Sequence, residues 1–496
     1  MRESGILLPI SSLPSQYGIG CFSKEAYEFV DQLALANQKY WQILPLGPTS
    51  YGDSPYQSFS TYAGNPYFID LNTLIEEGVL TKKECNLADF GSDSRFIDYG
   101  KLYKARYKLL RKAYERSNIS QNPEFQTFQE ENAWWLDDYS LFMAVKGFFQ
   151  DECWDKWPED IKKRYGYALD YYREQLYFEV EFQKYMQFEF SIQWKKLKTY
   201  ANENGIRIIG DIPIYVAYDS ADTWAHPELF QLDEENVPLA VAGCPPDGFA
   251  ADGQLWGNPL YRWDYHRQTG YAWWMQRLSY AFYLYDVVRI DHFRGFDEYF
   301  SIPYGDTTAR NGHWEKGPGI ELFHRMKEVL GERDVIAEDL GYVTDSVRQM
   351  VFESGFPGMK VFEFAFDSRD TGCAGDYLPH NYPVNSVVYT GTHDNATLIG
   401  WYQDIPKEGR EMLRDYIHDY TTSDRSLHWS VICRVMGSPA RICMIPMQDY
   451  LGLDNPCRIN TPSTLGTNWK WRLLDGEFTS DLQNKIKKLV RIYQRN

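Results

Sequence analysis

The sequence predicts an α/β protein, a (β/α)8 TIM barrel with large, mainly helical and loop insertions at the C-terminal face of its strands. Two observations predict it: eight short apolar runs rich in β-branched residues, and amphipathic stretches spaced between them. Nearly continuous apolar runs suit strands buried on both faces, as in a parallel sheet wrapped by helices. A doubly wound open sheet has the same alternation and stays as the alternative. No glycine-rich dinucleotide fingerprint follows the first strand, which removes its main support.

The strands are read in chain order as GILLPI (5–10), YWQILPL (40–46), RIIGDIPI (207–214), VVRIDHF (287–293), VIAEDL (335–340), KVFEFAF (360–366), SVVYTGTHD (386–394) and RICMIPMQD (441–449). Helical periodicity marks KEAYEFVDQLALANQ (24–38), WWMQRLSYAFYLY (273–285), GIELFHRMKEVLG (319–331) and RSLHWSVICRVMG (425–437). Two connections exceed a simple βα loop. Residues 47–205, after the second strand, read as a charged helical insertion that includes 174–205, and residues 215–270, after the third, as an irregular loop rich in Gly, Pro, Asp and Trp. Both follow strands, so both belong above the C-terminal mouth of the barrel. No repeat, low-complexity tract or linker divides the chain, and residues 1–496 read as one elaborated domain.

Hydrophobic residues make up 44% and charged residues 24%, the balance of a globular protein. The 38 Tyr and 16 Trp suit either a large core or sugar recognition, in which a flat ring stacks on a pyranose face while its polar tip finds a partner. A net charge of −18 makes nucleic acid and anionic membrane surfaces poor partners; it suits a neutral substrate and equally suits solubility alone. Eight scattered cysteines without a CxxC pair read as reduced thiols of a cytoplasmic protein. The N-terminal apolar stretch is interrupted by Pro9 and reads as neither signal nor anchor, and no run approaches the ~20 apolar residues of a membrane span. No Cys/His cluster, EF-hand or phosphate loop is found, so neither metal nor cofactor is expected.

The chemistry collects at strand ends. Asp211, Arg289 with Asp291, Glu338 with Asp339, and His393 with Asp394 each close one apolar run. Buried carboxylates are costly unless paired or used, so four such ends on one rim point to function. One acid alone would suit a structural role equally well. Retaining glycosidic chemistry asks for such a set: one ionised carboxylate attacks the anomeric carbon and a protonated one frees the leaving oxygen, about 5–5.5 Å apart. Asp291 and Glu338, on the fourth and fifth strands, fit that spacing. Arg289, two residues before Asp291 and on the same face, is expected to keep it ionised. Glu338 is expected to have its pKa raised.

These segments resemble the α-amylase clan, and within it the glycoside hydrolase family 77 amylomaltases, or disproportionating enzymes. The likeness runs through GILLPISSLPSQYGIG, YWQILPLGPTSYGDSPYQSFSTYAGNPYFIDL, IIGDIPIYVAYDSADTW, GQLWGNPLYRW, VRIDHFRGF, IAEDLG, GTHDN and MIPMQDYLGLDNPCRINTPSTLGTNWKWRL. The resemblance implies a 4-α-glucanotransferase of the hexosyltransferase type acting on α-1,4-glucan and maltooligosaccharide donors and acceptors. It implies Asp291 as nucleophile, Glu338 as general acid/base and Asp394 as transition-state stabiliser. It implies sugar contacts at Arg289, His393, Asp211, Tyr56, Trp256, Asn258 and Tyr51. His292, next to Asp291, should point to the other side of its strand, and Trp469 and Trp471 read as core. The loop CPPDGFAADGQLWGNP (244–259) departs from the family in its less aromatic middle, GFAAD, which bears on acceptor preference. A plain α-glucan hydrolase and a silent glucan-binding barrel are the competing readings. The three carboxylates speak against the second.

Overall fold

A computed structural model describes residues 2–50, 52–246, 251–341, 343–366 and 374–496. Among the described residues twelve strands form, in chain order: β1 (Glu3–Leu7), β2 (Tyr40–Gln42), β3 (Arg207–Ile212), β4 (Ala240–Cys244), β5 (Gln254–Pro259), β6 (Val287–Ile290), β7 (Glu298–Pro303), β8 (His313–Lys316), β9 (Val335–Ala337), β10 (Gly358–Val361), β11 (Ser386–Tyr389) and β12 (Ile442–Pro446). Eight of them close a parallel barrel in the order β1-β12-β11-β10-β9-β6-β3-β2. The protein is a (β/α)8 barrel, and the eight barrel strands lie in or overlap the eight apolar runs.

Several runs overshoot their strands. β10 ends at Val361, and Phe362–Ala365 turns into a 3-10 helix. β6 ends at Ile290 and is followed by a second such turn, Phe293–Phe296. Phe362, Ala365, Phe293 and Phe296 are nearly inaccessible. A buried turn is as apolar as a buried strand, so apolar continuity cannot mark where the strand stops.

The connection from β2 to β3 holds the helices Leu71–Glu76, Lys82–Leu87, Tyr99–Ser117, Pro123–Phe148, Gly166–Gln175 and Tyr177–Glu203, among shorter turns. Their starts are written locally. Asp70 accepts from the Asn72 and Thr73 amides at 3.2 and 3.1 Å. Asn122 accepts from Glu124 at 2.8 Å, with Pro123 at the first helical position. Trp135, Phe142, Trp154, Trp157 and Trp224 share a buried aromatic cluster of their own under this insertion.

The stretch 215–270 is not irregular loop throughout. It contributes β4 and β5 to a four-stranded antiparallel sheet ordered β5-β4-β7-β8, whose other half comes from the β6–β9 connection. The strand pattern was hidden because β4 is only five residues and a register shift between Val241 and Gly243 breaks its pairing with β5. A Cβ at Gly243 would come within 2.1 Å of the Gln254 carbonyl oxygen, so the close crossing excludes a side chain there.

The barrel interior is filled by Leu7, Tyr40, Ile209, Val287, Ile336, Met359, Val387 and Ile442 in one apolar cluster. Outside, helices cover the sheet so closely that a Cβ on Gly210 of β3 would meet the Tyr285 ring at 2.1 Å. Gly210→Ala is expected to destabilise the protein by about 1–3 kcal/mol through overpacking next to Asp211. A melting temperature equal to the parent's, read by calorimetry, would show that Tyr285 moves aside at no cost.

Candidate active site

Above the apolar plug the barrel interior turns polar. Asp211, the penultimate residue of β3, is paired in register with Arg289 of β6. Arg289 Nη1 donates to Asp211 Oδ1 and Oδ2 at 2.8 and 2.7 Å. The two side chains are 4% and 0% exposed, so the ion pair is out of water. The Tyr56 hydroxyl donates to Asp211 Oδ2 at 2.7 Å and brings the β2–β3 insertion onto the barrel mouth. Below, Tyr389 donates to Gln42 Oε1 at 2.9 Å.

Asp291 follows β6 directly, and its amide continues the ladder to the Ile212 carbonyl at 3.0 Å. Arg289 Nη1 reaches Asp291 Oδ1 at 3.2 Å, a longer contact than either to Asp211. Arg289 thus reaches Asp291 as expected, but its closest partner is Asp211, a contact the sequence reading did not include. Burial pushes the Asp291 carboxyl above the usual carboxylate range, the Arg289 charge pulls it back, and the Asp211 and Asp394 charges push it up again.

Glu338 follows β9 in the same way, with its amide on the Ile290 carbonyl at 3.1 Å. Register pairs Ile290 with Ala337, so Asp291 and Glu338 leave neighbouring strands at one height. Glu338 Oε2 accepts from the His292 amide at 2.7 Å and Oε1 from the Leu340 amide at 2.9 Å. His292 has φ 47°, a left-handed conformation that is uncommon outside glycine. It thus stands in a turn and not on the strand, and that turn directs its N–H at Glu338. Its ring packs edge-on against Trp256 with centroids 4.9 Å apart. Burial is the largest influence on Glu338 and drives its pKa up, above that of Asp291, against the pull of Arg289 and of the two amides. Asp339 turns outward to accept from the Met359 amide at 2.7 Å, a structural use.

Asp394 lies in the turn after β11. Its Oδ2 meets His393 Nε2 at 3.3 Å and its Oδ1 accepts from the Asn460 side-chain Nδ2 at 2.6 Å. Burial acts upward here too, but the His393 charge and the hydrogen bonds from His393 and Asn460 outweigh it and hold this carboxyl well below the usual range. His393 stacks on Tyr56 with centroids 5.2 Å apart and planes 16° apart.

The remaining expected residues divide. Trp256 is half-buried beside His292, its indole N–H on Gln254 Oε1 at 3.0 Å. Asn258 has its amide committed to the Val216 carbonyl at 2.8 Å and to Gln57 at 3.1 Å, so it braces the insertions. Tyr51 lies outside the described residues, as does most of the GFAAD stretch. Trp471 and Trp469 are both buried in the core, as expected, and the Trp469 ring also lies 5.9 Å from Tyr56 and 6.1 Å from His393 by centroids. Asn460 and Arg458 were not singled out from sequence. Their only signal was a place in a segment that carried the family resemblance, because their partner Asp394 is 66 and 64 residues away. Among the described residues no group of His, Cys, Asp or Glu is arranged to hold a metal ion.

Comparison with known proteins identifies the family and the fold. The family model described as 4-alpha-glucanotransferase matches residues 8–477. A 4-alpha-glucanotransferase of Clostridium butyricum is 50% identical over 98% of this chain and 99% of its own. That of Thermus thermophilus is 45% identical over 100% of this chain and 99% of its own. Among solved structures, an amylomaltase from Streptococcus agalactiae in complex with acarbose superposes with a TM-score of 0.96 at 40% identity, covering 100% of both chains. An amylomaltase of Corynebacterium glutamicum shares the fold at 19% identity, with a TM-score of 0.77 over 100% of this chain and 75% of its own. With its barrel, its rim of carboxylates and a family match over nearly its whole length, the chain belongs to the 4-alpha-glucanotransferase family of glycosyl-transferring enzymes.

Proposed function

We propose that the protein moves a segment of a 1,4-α-D-glucan to the 4-hydroxyl of an acceptor glucan or glucose by a retaining double displacement. The observation that supports it best is the matched height of Asp291 and Glu338 on neighbouring strands. Strands lie about 4.8 Å apart, close to the ~5–5.5 Å that separates nucleophile and acid in retaining enzymes. In the first step Asp291 Oδ attacks the anomeric carbon, the C1–O4 bond breaks, and Glu338 gives its proton to the departing O4. In the second, the acceptor's 4-hydroxyl passes its proton to Glu338 as its oxygen takes C1, and Asp291 leaves as carboxylate. Asp394, held ionised, faces the positive charge that grows on the ring in the transition state of each step.

Transfer prevails over hydrolysis where the acceptor is well bound and water is kept out. Tyr56, Trp256 and Trp469 put aromatic surface around the carboxylates and serve both ends. The chemistry asks for no cofactor. Among the described residues no helix is long and apolar enough to cross a membrane. A cytoplasmic location is part of this reading, supported by eight cysteines without disulfide-scaffold spacing.

Maltotriose alone tests the reaction. Longer glucans plus glucose at constant reducing ends are expected, whereas rising reducing ends without longer products would make it a hydrolase. Asp291→Asn is expected to remove turnover, and full activity in that variant would rule out Asp291 as nucleophile.

The pH profile of kcat/KM should be bell-shaped, with the two limbs belonging to the coupled pair. Activity falls on the acid side as Asp291 takes a proton and on the alkaline side as Glu338 loses one. Arg289→Met removes the charge that draws Asp291 down, so any residual activity should show an acid limb moved to higher pH. The same variant leaves Asp211 buried without its partner and is expected to cost about 3–5 kcal/mol of stability by denaturant titration. An unmoved acid limb would mean that Arg289 does not set the ionisation of Asp291.

A further inference from the structure

The three carboxylates are not held alike. Asp291 and Glu338 each stand one residue beyond a barrel strand, with their backbones still in the ladder. Asp394 stands five residues beyond the end of β11 at Tyr389, out of reach of the ladder that places the other two. Its turn is pinned at both ends by one buried acid: Asp449 accepts from Thr390 Oγ1 at 2.5 Å and from the Leu398 amide at 2.8 Å. Within it, Asn395 Oδ1 accepts from the Thr392 amide and hydroxyl at 2.9 and 2.8 Å, and Thr392 Oγ1 accepts from the Asp394 amide at 3.3 Å. Within the turn His393 meets Oδ2 of Asp394, which leaves the carbonyl and Oδ1 to be fixed from outside it.

Arg458 fixes them. Its Nη2 donates to the Asp394 carbonyl oxygen, and its Nε donates to the Asn460 carbonyl oxygen at 2.5 Å. Asn460 then donates from its own side chain to Asp394 Oδ1 at 2.6 Å and from its backbone to the His393 carbonyl at 3.1 Å. One planar guanidinium therefore joins the backbone of the acid to the backbone of the residue that grips its carboxylate. With Oδ1 and the carbonyl both fixed, the side-chain torsions of Asp394 are determined, and Oδ2 falls against His393.

We infer that Arg458 is a positioning residue for Asp394: it acts through Asn460 and the Asp394 carbonyl, and sets where that carboxylate meets the reacting ring. The inference rests on the role given to Asp394 above. If Asp394→Asn keeps full activity that role falls, whatever Arg458 does.

The experiment uses the full-length protein with maltotriose. In Arg458→Ala, kcat is expected to fall by about 10²-fold, the effect of an ångström-scale misplacement, with KM little changed. Added guanidinium ion should restore part of the lost kcat in that variant, and ammonium ion should not. Arg458→Lys, which keeps the charge but cannot bridge two carbonyls in one plane, should keep KM and lose kcat to a smaller extent. A kcat close to the parent's in both variants overturns the inference. So does a loss confined to KM, which would make Arg458 a binding group. If Arg458→Ala does not fold, Arg458→Lys carries the test, and a melting temperature lowered in proportion to its kcat would reduce Arg458 to a stability role and overturn the proposal.

Discussion

The active end of this barrel is organised around the buried contact between Arg289 and Asp211. An unpaired charge at that depth would be untenable, so each group requires the other. The pair joins β3 to β6, receives Tyr56 from the long insertion through its acid, and extends to Asp291 through its guanidinium. Its net contribution to stability is small, because removing two charges from water offsets most of their attraction. What it supplies is a fixed positive charge beneath a cleft of acids. Without that charge, Asp291, Glu338 and Asp394 would have no shared counter-ion inside the barrel.

The barrel was legible because its signal is local. Each strand is a short apolar run, and the helices between them keep their period, so the helices Lys24–Leu35, Ala272–Leu284, Glu321–Leu330 and Leu427–Met436 fall within a few residues of the periodic stretches. The candidate acids were legible for a related reason: a carboxylate closing an apolar run stands out against it. What escaped depended on distant partners. The sheet of β4, β5, β7 and β8 assembles from two separate connections, and neither half carries a clear alternation. Arg458 and Asn460 acquire meaning only beside Asp394. Asn258 lies in a segment that carries the family resemblance, and in the structure both ends of its side-chain amide are spent on the protein.

One physical influence, burial, acts on all three acids in the same direction, and their partners decide the outcome. Glu338 is held by two backbone amides, neutral dipoles that favour the ionised form without matching what desolvation takes away. They orient the carboxyl and still leave it a weak acid, the combination a proton donor needs. Asp394 has His393 and a side-chain amide at its two oxygens, and there the partners prevail over burial. Asp291 falls between, sharing an arginine whose nearer partner is Asp211. Had Arg289 turned fully toward Asp291, the carboxylate would be more firmly ionised but less willing to share electrons with carbon. A shared guanidinium leaves it ionised near neutrality while its basicity stays above that of an ordinary aspartate. On the proposed mechanism, the division of one positive charge between two acids is what would let Asp291 act as a nucleophile beside an acid that keeps its proton.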